Sequence, residues 1–569
     1  MTQLGLLQDT IPVVANSTER GVRFPSPLPN QRVQNLDTGN IERWTNGSWT
    51  PEYLLSAGGT FNVKTYGATG DGVADDTAEI QAAIDAVEAA GGGVLYFPKG
   101  TYKVTAELTV TQPMMVVGAG RRSSVVYATT LGASRGVFKV TANNVSFRDL
   151  TIRGPSVATY VSDECGIWFY GTSGTPITDG VVEGCEVYDV GSYGVLFEYA
   201  NRCRAVRNYI HDVGYGGLGN LSSADWVAAE NIIATITPGT SSNAYGLFVS
   251  KRLTGDTTPT RGTMSKNVVK DVAIWEGIDT HGATFYTIND NVVTGCKIGI
   301  QVGPDSFGNV PHFSVINGNA IDNGGLTTTQ VRGISIGGDG STNVRGVVCS
   351  GNTIDTMGGA DGASQTTGAI LVQYTLGCVV TNNHIYNAEQ NGIIFDGGGN
   401  TGIVCSNNAI HGVTLRTGNA SGIRFNTTTT GVCTGNYVDA TDNYPLYFNA
   451  ACPNLRLDDT NVLITDGTTP ASGSVLVNAA NVGRGYRFTG SKSHNFADLA
   501  SGASESTTVT VTGAALGDAA MAWLAIDNAL VVLNAYVSST NTVTVVATNR
   551  AGGNVNLADT TLYAAAVRT

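Results

Sequence analysis

Asn352-Thr353-Ile354, Asn383-His384-Ile385, Asn408-Ala409-Ile410, Asn436-Tyr437-Val438: four times in close succession an Asn is followed two positions later by a β-branched residue. The pattern begins upstream at Asn208-Tyr209-Ile210. It continues through Asn231-Ile232-Ile233, Asn267-Val268-Val269, Asn291-Val292-Val293 and Asn319-Ala320-Ile321, at spacings of 23 to 36 residues. Interleaved with it are Gly-apolar steps: Gly166-Ile167, Gly194-Val195, Gly246-Leu247, Gly277-Ile278, Gly299-Ile300, Gly333-Ile334, Gly392-Ile393 and Gly422-Ile423. Each unit reads as turn, short strand, turn, short strand. Such a unit carries an inward apolar residue at every second position and cannot bury that row alone. Stacking units at the ~4.8 Å strand spacing buries the row and pairs the backbone of each coil with the next. Asn and Gly are expected at the corners, in left-handed conformations that most residues reach only at a cost. Proline, which cannot donate to a strand ladder, occurs only 16 times. The pattern predicts an all-β chain built on a right-handed parallel β-helix.

Composition agrees and excludes other classes. Gly fills 73 of 569 positions, charged residues are 14% and hydrophobic residues 42%. That apolar content suffices for a core and argues against a disordered chain or a charged coiled coil. No apolar run nears the roughly 18 residues of a membrane span, so membrane insertion is not expected. Met1-Thr2-Gln3-Leu4-Gly5 lacks the basic start and apolar stretch of a secretory signal. A net charge of −13 weighs against nucleic acid as a partner, because that binding rests on Lys and Arg neutralising phosphates. The nine cysteines include no CxxC pair, and Cys349, Cys378, Cys405 and Cys433 recur every 27 to 29 residues inside apolar runs. They are expected as a ladder of small buried thiols, suited to assembly in a reducing cytoplasm. Structural zinc needs Cys and His clustered at short spacing. No such cluster stands out, and neither metal nor cofactor is expected.

A helical signal precedes the repeat. Asp75-Asp76-Thr77 offers N-cap oxygens, Ile80, Ile84 and Val87 follow at helical spacing, and Gly91-Gly92-Gly93 ends the run. A single amphipathic helix here would cover the open end of the coil stack, whose strand edges are otherwise unpaired. The stretch from Asn62 through Tyr66-Gly67-Ala68, Gly70-Asp71-Gly72 and Asp75-Asp76-Thr77 to Phe97-Pro98-Lys99-Gly100-Thr101-Tyr102 resembles the opening segment of the pectate-lyase-like β-helix superfamily. That superfamily includes pectinases, phage tailspike depolymerases and some mannuronan epimerases. The resemblance implies the fold and leaves the chemistry open.

Two flanks add context. Residues 1–58 hold Pro25, Pro27 and Pro29 and have too little apolar content for a core of their own. They resemble the particle-attachment segments near the start of phage tail proteins. Past 460 the Asn pattern stops, so the β-helix is expected over 59–460 and a linker over 461–485. A C-terminal antiparallel β-sandwich-like domain is expected over 486–569, where 506–512 and 542–546 alternate strictly. It resembles the trimerising domains of phage tail fibres, and the row Leu530-Val531-Val532-Leu533 exceeds what a small sandwich buries. The order of the three parts resembles a phage tailspike. That resemblance implies a homotrimer on the virion tail, joined to a tail or baseplate protein by its N-terminus and acting on a bacterial surface polysaccharide.

Chemistry must come from side chains that point outward. With Ile278 facing in, Asp279 and His281 are expected to face out together. Aligning coils on the Gly-apolar step puts Glu198 in the column of His281, and Trp168, Phe248 and Gln301 in that of Asp279. The face then reads as a groove with aromatic platforms, carboxylates and a histidine, with Trp168, Glu198, Phe248 and Gln301 as substrate-binding residues. A single bulge would upset this register. Trp275-Glu276-Gly277-Ile278-Asp279-Thr280-His281 resembles the Asp-x-His catalytic strand of mannuronan epimerases and related alginate lyases. The resemblance implies that His281 exchanges the C5 proton of a uronate. Where that family has Tyr, three before the Asp, this chain has Glu276. Asp279, His281 and Glu276 are thus the candidate catalytic residues, with Trp275 as a substrate contact. Lys251 and Arg252, one coil earlier, could offer a cation to a uronate carboxylate.

Three functions fit: a depolymerase cleaving by β-elimination with His281 as base, a glycoside hydrolase, or a glycan-binding appendage without turnover. A hydrolase needs two carboxylates roughly 5–9.5 Å apart, for which Asp279 with Glu276, Asp256 or Asp305 are candidates.

Overall fold

The computed structural model describes residues 59–465 and 487–568, with parts of 13–51 and the pair 469–470. Left out within these spans are 132–134, 157–161, 239–242, 327–330, 339, 341, 356–367, 414–419, 428, 442–443, 450–451, 453, 458–460 and 527–529. Two compact units make up the chain, Met1–Phe248 with Gly255–Gly262, and Val249–Thr254 with Thr263–Thr569. Both are right-handed β-helix over most of their length. No helix among the described residues is long and apolar enough to cross a membrane.

In the first unit, strands Cys165–Tyr170, Tyr193–Glu198 and Gly216–Leu221 pair in parallel, with Ile167, Val195 and Leu218 in register and buried. The helix Thr77–Ala89 buries Ile80, Ala83, Ile84 and Val87, the face its spacing predicts. One of the expected oxygens holds its start. Asp75, not Asp76, accepts from the Thr77 amide at 3.1 Å, while the Asp76 carboxylate accepts from the amides of Thr69 and Gly70 and ties down the preceding turn. The expected single helix is one of two α-helices among the described residues. A second, Ser17–Arg23, lies beside a small sheet of Val13–Val14, Arg32–Asn35, Ile41–Thr45 and Ser48–Pro51 in which Val33 is buried. The N-terminal segment therefore has a local fold that its low apolar content did not suggest.

In the second unit, Ile278, Ile300, Ile334, Ile370, Ile393, Ile423 and Leu446 form one register row, all buried. The Asn residues do something other than turn corners. Asn267, Asn291, Asn319, Asn352, Asn383, Asn408 and Asn436 lie buried, and each donates its amide N–H and its Nδ2 to the Oδ1 of the next, at 2.9 to 3.1 Å. The ladder ends on Asn461. The left-handed residue is the one before each Asn: Lys266, Asp290, Gly318, Gly351, Asn382, Asn407 and Gly435, at φ of 55° to 68°.

The motif glycines are likewise not left-handed. A Cβ on Gly299, Gly333 or Gly392 would stand 2.6 to 2.7 Å from Cγ2 of Ile321, Ile354 or Ile410, which are the apolar residues of the Asn motif. The two sequence motifs are thus complementary halves of one packing contact. All nine cysteines are free and buried. Cys349, Cys405 and Cys433 share a column, but Val380 rather than Cys378 completes it.

Strand pairing continues past the expected end at 460, since Val462–Thr465 pairs in parallel with Tyr437–Thr441. The first residues of the expected 461–485 linker therefore belong to the last coil, and most of the remaining stretch lies outside the described residues. The C-terminal region forms two three-stranded antiparallel sheets, Arg487–Leu499 with Val555–Val567 and Ala519–Leu524, and Ser504–Thr510 with Thr542–Asn549 and Val531–Ser539.

Candidate active site

The candidate site stands on Val268–His281, a strand of 14 residues paired with Val292–Gly303. Register holds as far as Val272 opposite Cys296, then resumes at Glu276 opposite Ile298. Ala273, Ile274 and Trp275 thus stand against Lys297 alone. A bulge of this kind bends the strand and re-aims side chains. Strict alternation would put Glu276 and Asp279 on opposite faces, but past the bulge Gly277 and Ile278 both turn inward, a Cβ on Gly277 falling 2.7 Å from Val293 Cγ1 and 2.9 Å from Cys296 Sγ, so the two carboxylates come to one side. Here the ligand-capable atoms of Glu276, Asp279 and His281 all lie within 4.8 Å of one another.

Asp279 keeps its expected register, opposite Gln301. The expectation that it is open to solvent is corrected. Asp279 is fully buried, Glu276 is 3% exposed, and of the three only His281 reaches the surface, with 23% of its side chain exposed. The segment after Gly303 helps to close this part of the strand. Asp305 accepts from the amides of Phe307 and Asn309 and from the Asn309 side chain, and its carboxylate sits against Gly282, where a Cβ would come within 2.7 Å of Oδ2. Lys251 donates to Asn309 Oδ1 at 3.1 Å, so it braces this segment, with half-buried Arg252 beside it in the chain.

The His281 Nδ1 lies 2.6 Å from Asp279 Oδ2. Burial pulls the imidazole towards its neutral form, but the adjoining Asp279, with Glu276 and Asp305 behind it, outweighs burial and holds its pKa at about 9. Burial and the Asp279 charge push the Glu276 carboxyl well above the usual carboxylate range. Two buried carboxylates this close oppose each other's ionisation. The cluster is an Asp279–His281 ion pair beside Glu276, the carboxyl that burial and the Asp279 charge hold back from ionising. Among the described residues, Glu276 Oε2 and Asp279 Oδ1 have no hydrogen-bond partner. With this donor set the three residues are also spaced as a small divalent cation would need. The sequence reading, which saw no metal-ligating cluster, missed this because the spacing looks wrong for one face of a strand.

The remaining candidates belong to the first unit, where the expected platforms are covered. Trp168 is 6% exposed and donates its Nε1 to Glu198 Oε2 at 3.0 Å, so Glu198 is a buried acceptor. Phe248 is buried in a slot left by Gly216 and Gly219, beside Tyr193 and Tyr245. Asp256 accepts from the Tyr199 and Ser222 hydroxyls, both at 2.8 Å. The register reading found the right columns within this unit but could not show which residues other segments cover.

Parallel coils, a helix at the first strand edges and a buried Asn ladder define a right-handed β-helix with a pectate-lyase-like opening. Residues 60–152 match the family Rhamnogalacturonase A/epimerase, pectate lyase-like, and residues 135–311 match Right handed beta helix region. The two matches together run from residue 60 to residue 311 and agree with the right-handed β-helix described above. Mannuronan C5-epimerase AlgE6 of Azotobacter vinelandii is 38% identical over 150 residues, which are 24% of this chain and 17% of the epimerase. The match thus spans about one sixth of that relative. The tailspike of E. coli bacteriophage HK620, solved with a hexasaccharide, superposes with a TM-score of 0.56 at 12% identity, covering 93% of this chain and 96% of that one. The Pseudomonas phage phi297 tailspike gp61 gives 0.53 at 12% identity over 90% and 99%. At such identity the likeness is one of fold.

Proposed function

We propose that this chain is a polysaccharide-processing appendage of a phage tail, which cleaves an acidic bacterial surface polysaccharide by β-elimination at a uronate. The observation that carries the reading is the exposure order in the cluster: the imidazole meets solvent and the two carboxylates stand buried around it. Asp279 orients the ring through Nδ1 and stabilises its charged form, as a buried carboxylate does for a catalytic histidine. In the reaction the neutral imidazole takes the C5 proton, the C5–H electron pair forms the C4–C5 double bond, and the C4–O bond breaks. The proton gained by His281 is the one the departing oxygen requires.

The matched epimerase acts on mannuronan at C5, and the matched tailspikes are phage proteins, one of them solved with an oligosaccharide. Both support the reading. A hydrolase using Glu276 and Asp279 is disfavoured because neither carboxylate reaches solvent. The test is turnover on mannuronan and on acidic capsular polysaccharides. General-base transfer by a positioned histidine is worth about 10²–10⁴ in rate, so His281→Ala loses that factor while its melting curve stays close to wild type. Full turnover in His281→Ala would remove the histidine from the mechanism.

A further inference from the structure

In the second unit one corner is left-handed in coil after coil: Phe285, Phe313, Gly346, Gly377 and Gly402, at φ of 52° to 69°. The first four each donate their amide N–H to a carbonyl of the next coil at 2.8 to 3.0 Å, so the positions are equivalent. Glycine takes this conformation freely, whereas a bulky side chain takes it at a cost. Phe285 and Phe313 carry a second cost, because they are 55% and 52% exposed to water. Glycine at both positions, as in the coils that follow, would remove the two costs together. The rings nevertheless have a prepared seat. They stack at 5.2 Å with planes 18° apart, and a Cβ on Gly346 would come within 2.7 Å of the Phe313 ring. Strained backbone that holds apolar surface in water marks a binding site.

The surroundings of the pair say what binds there. Phe285 follows His281 by four residues, so its Cα lies within about 14 Å of the histidine Cα. Phe313 stands four residues beyond Asn309, in the segment that closes the candidate strand. Arg345, whose carbonyl accepts from the Phe313 amide, is exposed and gives the rim of the pair a positive charge in a chain of net charge −13. The CH face of a pyranose can cover such rings, and an acidic polymer also answers the charge at their edge.

We infer that Phe285 and Phe313 form an apolar platform outside the candidate active site, on which sugars of an acidic polysaccharide lie while another sugar of the same chain is held at His281. This rests on the reading of the site given above. The rings offer no hydrogen bond to a hydroxyl, so they select CH surface and act by binding alone.

The experiment measures binding of the full chain to mannuronan and to polygalacturonan, each as polymer and as disaccharide. Wild type should bind a polymer more tightly than its disaccharide. Phe285→Asn combined with Phe313→Asn should cut binding of the polymer about tenfold, the scale of two lost aromatic contacts, and leave that of the disaccharide unchanged. Asparagine tolerates the left-handed backbone, so this variant should melt no lower than wild type. Phe285→Tyr with Phe313→Tyr should keep the polymer preference, since the ring face is retained. A wild type that binds neither polymer better than its disaccharide overturns the inference, as does an unchanged preference in the asparagine variant. A melting temperature well below wild type in that variant also overturns it, by making the pair a structural contact. An unchanged preference with a lower oligomer mass by light scattering assigns the pair to a contact between copies of the chain instead. If the preference is unchanged while turnover still depends on His281, the platform alone has failed. If it falls as expected while His281→Ala keeps full turnover, the platform stands and the β-elimination reading does not.

Discussion

His281 is held as an imidazolium at neutral pH by the Asp279 carboxylate buried behind it. A base must be deprotonated to act, so a group with its pKa at about 9 makes the rate climb with pH and level off above about 9. Asp279→Asn removes the main charge raising that value, so the midpoint should move to lower pH while the plateau rate falls. A pH–rate profile of kcat/KM for both proteins checks this, and a rate that falls through pH 9 would make His281 an acid instead. At this scale the sequence was half legible. The Asp-x-His spacing marked Asp279 and His281, and period-2 alternation assigned their face. It could not tell that Asp279 is covered, because alternation reports which side of the strand a residue takes and not what later folds over it.

At the scale of the element, the Asn-x-Ile and Gly-apolar motifs turn out to be one device. Each Asn closes a hydrogen-bonded ladder, the following β-branched residue presses on a motif glycine, and that glycine is kept small by the contact. The repeat and its inward row were legible because burial imposes a strict period. The role of Asn was not, because a side chain that tolerates left-handed backbone and one that bridges coils leave the same mark in a sequence. Asn383→Ala should therefore cost about 2–4 kcal/mol, since it takes the Asn383 Oδ1 acceptor from the Asn352 amide and Nδ2 and the Nδ2 donor from the Cys349 carbonyl in a dry interior, while Asn408 Oδ1 keeps the backbone N–H of residue 383. Denaturant unfolding measures it. A loss under about 0.5 kcal/mol would mean that the ladder is not a stabilising feature.

For the whole molecule, the C-terminal sheets leave apolar side chains in water: Leu530 is 51% exposed, Val532 42% and Tyr536 55%, on or beside the edge strand Val531–Ser539, with Met521 47% exposed on Ala519–Leu524. Patches of this kind mark an association surface. We propose that this surface holds a trimer: removing residues 486–569 should then lower the oligomer mass seen by light scattering, and an unchanged mass would place the association elsewhere. The division into β-helix and terminal β-domain was legible from the shift in composition. The end of the helix was read early, because Val462–Thr465 continues the pairing without any glycine step to announce it.

β-Elimination at a uronate leaves its mark in the chemical nature of the ends that the protein makes. β-Elimination leaves a 4,5-unsaturated uronate that absorbs in the ultraviolet and is lighter by one water than a hydrolysed end. Mass spectrometry of the products from an acidic capsular polysaccharide should show unsaturated ends from wild type and almost none from His281→Ala. Saturated ends formed at an undiminished rate by His281→Ala would contradict the account.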